Sequence, residues 1–338
     1  MRPKLKKIAD QVVVITGASS GIGLATAFAA ARQGARVVLV ARNEDALQSA
    51  VQQIRDGGGS ATHVVADVTS KDDLERVAQT AVREFGGLDT WVNNAGLGIF
   101  GRLEEVSDED NRRLFDVNFW GLVHGTQIAA AHLKQSGGAI INLGSVVSDV
   151  AFPVQGMYCA SKHAIKGFTD AFRMEMEEAR APISVTLIKP ASIDTPFPTH
   201  ARNYLSEEPK LPPPVYAPED VADAIVYAAA HGGRDYYIGG GGKFMSTLNK
   251  HFPKLVDWAG SRTIRGQSTF KHPPNRDRGG ALFDVVADGS VHGSSPHHVM
   301  RSWYTKVTLD PVLGGTLLAL TGIATGLAGA ALLRRRRG

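Results

Sequence analysis

The chain has 338 residues, 43% of them hydrophobic and 21% charged, so it can form a large globular core. Its net charge of +4 equals the charge of the four arginines at 334–337, so the basic excess gives no reason to expect nucleic-acid binding. A single cysteine, Cys159, excludes an intramolecular disulfide and fits a reducing compartment.

The chain begins with the pattern of a dinucleotide-binding unit. Residues 11–16 are almost all β-branched, which is typical of a short strand buried on both faces. A glycine turn follows at once, and an alanine-rich helix runs from about residue 21 to 33. Gly17 allows a tight turn, and Gly21 and Gly23 let backbone and helix approach a pyrophosphate. This order of elements predicts a phosphate-binding site.

The end of the second predicted strand, residues 36–41, bears on the choice of cofactor. A dinucleotide-binding fold usually has an acidic residue here, which contacts the adenosine ribose 2′-hydroxyl. This chain has Ala41 followed by Arg42, and an arginine can pair with a 2′-phosphate instead. The sequence therefore predicts NADP(H) in preference to NAD(H). The alternative is a solvated Arg42 with NAD(H) as the cofactor.

Strands and helices alternate as far as residue 242. Further strands are predicted at residues 61–66, 88–92, 138–144, 183–189 and 234–238, and further helices at 43–55, 71–84, 108–135, 156–180 and 218–230. This alternation predicts an α/β fold, a Rossmann-type doubly wound parallel sheet with helices on both faces. We expect this domain to occupy residues 1–242.

Ser145, Tyr158 and Lys162 form a candidate catalytic group. Tyr158 and Lys162 are four residues apart and share one face of a helix that begins near residue 156. A free tyrosine has a pKa of about 10, and a nearby ammonium favours the phenolate and lowers that pKa. Tyr158 could then exchange a proton with an alcohol oxygen, to which Ser145 offers its hydroxyl. Taken alone, the pair could equally be an ordinary aromatic residue and a solvated charge.

Together these motifs resemble those of the classical short-chain dehydrogenases/reductases. The family signature T-G-x-x-x-G-x-G is matched by residues 16–23, and N-N-A-G is matched by residues 93–96. Twelve residues separate Ser145 from Tyr158, which is the usual separation in that family. The resemblance covers roughly residues 10–242. It implies hydride transfer between nicotinamide C4 and a carbonyl or secondary alcohol carbon, in an enzyme that is commonly a homo-oligomer.

The resemblance also implies catalytic roles. Ser145 would bind the substrate oxygen and Tyr158 would donate the proton in reduction. Lys162 would lower the Tyr158 pKa and hold the nicotinamide ribose. Asn118, in the middle of a predicted helix where asparagine has poor propensity, would hold a water that links Lys162 to solvent.

A larger set of residues is expected to bind the cofactor. Asp67 would contact the adenine ring, and Ile193 and Thr195 the nicotinamide carboxamide, although Ala191 replaces the glycine that the family commonly has. The expected cofactor-binding residues are Gly17, Ser19, Ser20, Gly21, Ile22, Gly23, Arg42, Asp67, Val68, Asn94, Ala95, Gly96, Tyr158, Lys162, Pro190, Ile193 and Thr195.

Two other functions compete with this one. The chain could be a catalytically idle dinucleotide-binding protein, such as a redox sensor or a membrane scaffold. The intact set of Ser145, Tyr158, Lys162 and Asn118 disfavours this, because a sensor needs only the glycines. An epimerase or dehydratase of the extended branch is disfavoured by the glycine spacing, which there is normally G-x-x-G-x-x-G.

Residues 197–218 interrupt the α/β rhythm where a substrate lid would lie. Phe197, Tyr204 and the prolines at 212–214 could form an apolar rim. The alternative is a disordered insertion.

Residues 243–308 form an extension of different character. Apolar residues spaced three to four apart predict one amphipathic helix over residues 244–258. Residues 261–298 are rich in Gly, Pro, Arg and His, which predicts a linker or a poorly ordered extension. Histidines at 292, 297 and 298 lack the cysteine or carboxylate spacing of a metal site, so no metal is expected.

The C-terminal segment, residues 309–338, is predicted to be a membrane-anchoring apolar helix with an arginine-rich end. No charge occurs between Asp310 and Arg334, a length that can cross a bilayer as a helix. The alternatives are a helix that lies shallowly at the membrane interface and a soluble helix packed on protein. Because the N-terminus lacks the apolar region of a signal peptide, we expect the catalytic domain to be cytoplasmic. The C-terminal helix would make the protein membrane-associated, and this attachment would favour lipophilic small-molecule substrates.

Overall fold

The computed structural model describes residues 3–267, 273–274, 280–286 and 289–310. Its main strands are β1 Val12–Thr16, β2 Arg36–Ala41, β3 Ser60–Val65, β4 Thr90–Asn93, β6 Gly138–Leu143, β7 Ile183–Pro190 and β11 Asp235–Ile238. They form a parallel sheet in the order β3-β2-β1-β4-β6-β7-β11. From β1 the chain adds β2 and β3 on one side, and it then returns to place β4 on the other side of β1. Ligands bind at such a reversal, outside the carboxyl ends of the strands.

Short strands lie outside this sheet. β5 Ile99–Phe100 pairs with β9 Arg202–Asn203. β10 Val215–Tyr216 pairs with β8 Ser192–Ile193 and with β12 Val299–Met300, which belongs to the C-terminal extension.

Helices cover both faces of the main sheet. Their bounds are α1 Gly21–Arg32, α2 Glu44–Asp56, α3 Lys71–Phe85, α4 Asp108–Phe115, α5 Gly121–Ser136, α6 Gly156–Glu178, α7 Phe197–His200, α8 Pro218–His231, α9 Gly240–His251, α10 Pro253–Gln267 and α11 Trp303–Leu309. The predicted Rossmann-type α/β fold is confirmed.

The sheet is held by apolar layers on its two faces. Val13 and Ile15 of β1 pack with residues of α1, α2 and α8, while Val12 and Val14 pack with residues of α3, α5 and α6. All four side chains are at most 2% exposed. Full burial of such a side chain contributes about 1.5–3 kcal/mol, so the continuous β-branched run is what fixes β1 at the centre.

The helix predicted over residues 108–135 is α4 and α5 joined by a π-helical turn, Asp116–Trp120. Asn118 lies in that turn and is 1% exposed. Wider turns of this kind often occur at functional sites, and here the turn aims a polar side chain inward.

The single helix predicted over residues 244–258 is wrong. The structure has α9 and α10, which are separated at Phe252, whose φ is −134°. Pro253 lacks a backbone N–H and disfavours a helical residue before it, so the helix ends and a new one begins.

The linker predicted over residues 261–298 is also wrong for its described part. Helix α10 continues to Gln267. Residues 280–286 and 289–298 pack against the carboxyl ends of the main strands through hydrogen bonds to Ser19, Arg42 and Asp194, among others. Backbone pairing to distant residues leaves no periodic trace in a sequence, which is why the pattern indicated a linker.

Asp149 fastens the extension to the sheet. Its carboxylate accepts hydrogen bonds from Lys166 Nζ at 2.6 Å, Tyr237 OH at 2.7 Å and Ser246 Oγ of α9 at 2.9 Å. The Lys189 ammonium lies 3.3 Å away. Burial alone would raise the pKa of Asp149, but the bonds from Lys166 and Tyr237 lower it to about 2.

Within the described residues, no helix combines the length and the apolar character that crossing a membrane requires. The membrane helix predicted for residues 309–338 lies almost wholly outside the described residues, which end at Asp310.

Candidate active site

The glycine turn after β1 forms a backbone cradle. Gly17 and Gly21 have φ values of +65° and +53°, in the left-handed region that favours glycine. A Cβ at Gly23 would lie 2.1 Å from the Gly17 carbonyl oxygen, so only glycine lets α1 approach the turn this closely. The cradle therefore fits a pyrophosphate at a helix N-terminus, as the sequence predicted.

The loop after β4 supports this cradle. Thr16 Oγ1 accepts hydrogen bonds from the backbone N–H groups of Asn94 at 3.0 Å and Ala95 at 3.1 Å. The Asn94 amide donates to the carbonyl oxygens of Thr16 at 2.9 Å and Gly17 at 3.0 Å. The N-N-A-G segment thus fixes the shape of the turn that precedes α1.

Ser145, Tyr158 and Lys162 meet at the carboxyl end of β6. Ser145 begins a 3-10 turn, and its Oγ accepts a hydrogen bond from Val147 N at 3.3 Å. Tyr158 and Lys162 lie in the first two turns of α6 and face the same cleft. Lys162 is 4% exposed, and its Nζ donates to the Leu143 carbonyl oxygen at 2.8 Å.

The environment of these residues differs from the predicted one. Burial raises the pKa of the Tyr158 phenol well above its ordinary value, and hydrogen bonding with Ser145 opposes only part of that rise. Burial also lowers the pKa of the Lys162 ammonium to about 8. The predicted lowering of the Tyr158 pKa is therefore wrong for this structure, because desolvation of the phenolate dominates and Lys162 is itself desolvated. The phenol is protonated at neutral pH.

Asn118 lies behind this group. Its Oδ1 accepts from Leu97 N at 2.7 Å, and its Nδ2 donates to the Leu97 carbonyl oxygen at 3.0 Å and to Ser161 Oγ at 3.3 Å. A Cβ at Gly96 would lie 3.5 Å from Asn118 Oδ1 and 3.8 Å from Lys162 Nζ. Asn118 therefore shapes the loop beside Lys162, while its part in a water relay stays a prediction.

Arg42 and Asp67 lie at the end of the cleft where the adenosine is predicted. The Arg42 guanidinium donates to the carbonyl oxygens of Phe283 at 3.0 Å and Asp284 at 2.9 Å, and also to that of Ala281. Asp67 Oδ2 accepts from the Arg113 guanidinium at 2.6 Å. Burial alone would raise the pKa of Asp67, but Arg113 holds it below its ordinary value. Both predicted residues line the cleft, and each is held by a neighbour that the sequence did not indicate.

The loop after β7 forms the end of the cleft where the nicotinamide is predicted. Ile193 in β8 pairs with Tyr216, and Asp194 N donates to the Tyr216 carbonyl oxygen at 2.9 Å. Thr195, 8% exposed, faces the cleft with its hydroxyl 3.5 Å from the Ile193 carbonyl oxygen. Backbone pairing with Tyr216 thus fixes the shape of this loop, although Ala191 stands where a glycine was expected.

One cleft unites nearly all the predicted site residues. Its lining includes Gly17, Ser19, Ser20, Gly21, Ile22, Arg42, Asp67, Val68, Asn94, Ala95, Gly96, Ser145, Tyr158, Lys162, Pro190, Ile193 and Thr195. The two exceptions, Gly23 and Asn118, stand behind the lining and act through close backbone contact.

The substrate end of the cleft is apolar. Its walls include Val146, Val147, Phe152, Phe197, Leu211 and Pro212. The Phe197 and Tyr158 rings have centroids 5.3 Å apart. Of the predicted rim, Phe197 and Pro212 face the cleft, whereas Tyr204 donates its hydroxyl hydrogen to Asp110 Oδ2 at 2.7 Å.

Sequence reasoning missed one wall of the cleft. Ala281, Val285 and Val286 of the extension line its adenosine end. The only signal was a few apolar residues within a segment rich in Gly and charge, without periodicity.

Comparison with known proteins gives a family. The sequence model of the short chain dehydrogenase family matches residues 11–204. The uncharacterized oxidoreductase YxnA of Bacillus subtilis is 43% identical over 320 residues, which cover 94% of this chain and 90% of that protein. The 11-beta-hydroxysteroid dehydrogenase A of Sesamum indicum is 38% identical over 239 residues, covering 67% of this chain and 68% of that protein.

Solved structures of the same family also resemble this chain. A short chain dehydrogenase/reductase from Burkholderia phymatum in complex with NAD has a TM-score of 0.66 and 27% identity, covering 75% of this chain and 96% of its own. An alcohol dehydrogenase from the archaeon Thermococcus sibiricus, complexed with 5-hydroxy-NADP, has a TM-score of 0.59 and 29% identity, covering 68% of this chain and 94% of its own. Each leaves a quarter or more of this chain without a counterpart.

Proposed function

The chain belongs to the short-chain dehydrogenase family, and from this premise we propose that it transfers a hydride between a nicotinamide dinucleotide and a carbonyl or secondary alcohol carbon, with Tyr158 as general acid and base. The observation that carries the proposal is that Ser145, Tyr158 and Lys162 face the same cleft as the glycine cradle. A protein that only sensed the dinucleotide would need the cradle alone.

The chain's own residues position the substrate oxygen and move its proton. Ser145 donates a hydrogen bond to the oxygen of a carbonyl substrate. Tyr158 donates its proton as that oxygen gains negative charge. Lys162, fixed on the Leu143 carbonyl, keeps a positive charge near the phenol and would hold the nicotinamide ribose. The bound nicotinamide supplies the hydride chemistry.

The protonated state of Tyr158 suits reduction of a carbonyl. The raised pKa keeps the phenol protonated at neutral pH, so the proton that the reduced substrate oxygen needs is present on Tyr158. In the oxidative direction the same phenol must first lose that proton, which burial makes costly. Asn118 is proposed to support the water that returns a proton through Lys162.

NADP(H) is the proposed cofactor, in preference to NAD(H). Arg42 places a cation at the adenosine end of the cleft, at the position where NAD-binding folds usually have a carboxylate. Asp67 is proposed to lie at the adenine, and Ile193 and Thr195 at the carboxamide.

The proposed substrate is a lipophilic ketone, aldehyde or secondary alcohol. The apolar walls at Val147, Phe152 and Phe197 offer few polar groups besides Ser145 and Tyr158 to a bound molecule. The relative named 11-beta-hydroxysteroid dehydrogenase A supports a steroid-like class. The test is a turnover screen of ketones, aldehydes and sterol-like alcohols with each cofactor. Turnover of a lipophilic carbonyl with NADPH is expected, and failure with every substrate would favour the idle-binding alternative.

Membrane attachment and homo-oligomerisation are proposed as well. The supporting observations are the uncharged stretch between Asp310 and Arg334 and the exposed Phe252, Leu255 and Trp258 on the α9–α10 side. The full-length protein is expected to stay with membranes through carbonate washing, and a variant truncated after Leu309 is expected to be released as an active enzyme. Release of the full-length protein by that wash would contradict the anchor. Sizing of the truncated enzyme tests the oligomer.

A further inference from the structure

The C-terminal extension returns to the dinucleotide cleft and follows its length. We call residues 280–286 and 289–297 the strap. Along the chain the strap contacts the adenosine end, then the glycine turn, then the nicotinamide loop. These are the sites of the three parts of a dinucleotide, in order.

At the adenosine end, two arginines and one asparagine donate hydrogen bonds to the strap. Arg42 donates to the backbone carbonyl oxygens of Ala281, Phe283 and Asp284. Two further side chains bind the same stretch: Arg113 Nε donates to Leu282 O at 2.9 Å, and Asn43 Nδ2 donates to Val286 O at 2.9 Å. Hydrogen bonds from charged donors are the stronger kind, so this end is firmly seated.

At the glycine turn the strap pairs with the cradle itself. Gly289 N donates to Ser19 O at 2.9 Å, and Gly21 N donates to Ser290 O at 2.9 Å. The same turn is the predicted pyrophosphate site. Here the strap contacts the backbone of the cradle directly.

At the nicotinamide loop the strap is held by a histidine between two carboxylates. His292 Nδ1 lies 3.3 Å from Asp194 Oδ2, and its Nε2 lies 2.9 Å from Glu219 Oε1. Ser295 N donates to Asp194 Oδ1 at 3.3 Å. A Cβ at Gly293 would lie 2.4 Å from the Thr195 carbonyl oxygen, so only glycine allows the strap to lie this close to the loop.

We propose that the strap is the outer wall of the dinucleotide site: Ala281, Val285 and Val286 contact the adenosine half of the bound cofactor, and the strap must lift from the cleft for the cofactor to enter or leave. This inference rests on the proposed function, since it takes a dinucleotide as the ligand. His292, Asn43 and Arg113 then act as positioning residues, because they hold the strap and do not touch the reacting atoms.

The consequence is slow exchange of cofactor. A wall bonded at three places along the cleft must give up those bonds before the dinucleotide dissociates, so the effect falls on the dissociation rate. None of the strap's described hydrogen bonds involves Ser145, Tyr158 or Lys162, and Leu282, which packs in one apolar cluster with Tyr158, lies at the adenosine end of the strap. The hydride-transfer step itself should therefore be unaffected when the strap is loosened at its other end, at His292.

The test measures release of NADPH from the full-length protein by stopped-flow fluorescence with excess NADP+. Gly293→Ala and His292→Ala each weaken the nicotinamide end of the strap. His298→Ala, which changes an exposed histidine just beyond the strap, is the matched control. The two strap variants should release NADPH about tenfold faster or more. Single-turnover hydride transfer should stay unchanged in His292→Ala, and the control should match the parent in both measurements.

Hydrogen exchange keeps the test decisive if a variant folds poorly. In the unaltered protein, NADPH should slow exchange at the strap amides. The inference is overturned if a variant exchanges its strap amides faster than the parent but releases NADPH at the parent's rate. It is also overturned if NADPH does not change the exchange rate of the strap amides in the parent. If the parent protein binds neither NADPH nor NADH, the proposed function fails and the inference fails with it. If the parent turns over substrate and the strap variants release NADPH at the parent's rate, the inference is overturned and the proposed function stands.

Discussion

The Lys162 ammonium lies 5.7 Å from the centre of the Tyr158 ring and donates to the Leu143 carbonyl at 2.8 Å. The lysine is thus near the phenol without a direct hydrogen bond to it among the described contacts. With both groups desolvated, the pKa of Tyr158 is raised and that of Lys162 is lowered to about 8. Tyr158 therefore stays protonated near neutral pH, and Lys162 is the member of the pair that changes its charge near pH 8.

The reductive reaction should lose rate as pH rises through about 8, where Lys162 gives up its proton. Reduction needs a protonated Tyr158 and a charged Lys162, and both conditions hold at lower pH. The measurement is the pH profile of kcat/KM for carbonyl reduction. Lys162→Met should lower the rate and remove the inflection near pH 8. A parent rate that climbs above pH 8 would contradict this assignment.

Asp149→Asn should destabilise the fold by about 2 kcal/mol at neutral pH. The carboxyl has a folded pKa of about 2 against an ordinary 3.8, so its contribution is present above pH 4 and disappears as pH falls towards 2. Denaturant unfolding measures the difference, with Asp257→Asn on the exposed side of α10 as the control. An equal loss of stability at every pH would show that the charge of Asp149 is not the source.

Asn118→Ala should lower the free energy of unfolding by about 1–3 kcal/mol, because the N–H and carbonyl of Leu97 lose their partners. Turnover should fall as well, since Gly96 and Leu97 line the cleft. Thermal unfolding and kcat check the two effects, with Gln48→Ala on exposed α2 as control. If both quantities match the parent, Asn118 has neither role.

Arg42→Asp should shift the ratio of kcat/KM values from NADPH towards NADH, because it replaces a partner for the 2′-phosphate with an acceptor for the 2′-hydroxyl. The same change also loosens the strap. His292→Ala loosens the strap at its other end and should leave the ratio unchanged. A parent enzyme that already prefers NADH would show that Arg42 serves the strap alone.

The sequence allowed prediction of what depends on local pattern. The β-branched run in β1, the three glycines after it and the i, i+4 pair of Tyr158 and Lys162 can each be recognised from their spacing. The structure brings Gly17, Gly21, Tyr158 and Lys162 into one cleft. The sequence pattern could not show that burial raises the pKa of Tyr158 where a lowered pKa was expected, because desolvation depends on what packs around the ring.

The strap was beyond prediction for a related reason. Its bonds are made largely by backbone carbonyls and N–H groups, which every residue has, with residues that are distant in the sequence. Neither composition nor periodicity records such pairing. Pro253 was the opposite case, since its effect on α9 and α10 is local and could have been predicted.

The most direct test of the central claim is Tyr158→Phe. The change removes one hydroxyl from the cleft and leaves the glycine cradle untouched. NADPH binding, followed by its fluorescence, should stay within about twofold of the parent, while reduction of a carbonyl substrate should fall by about 10²–10⁴-fold. Undiminished reduction by the Tyr158→Phe variant would contradict the assignment of Tyr158 as the proton donor.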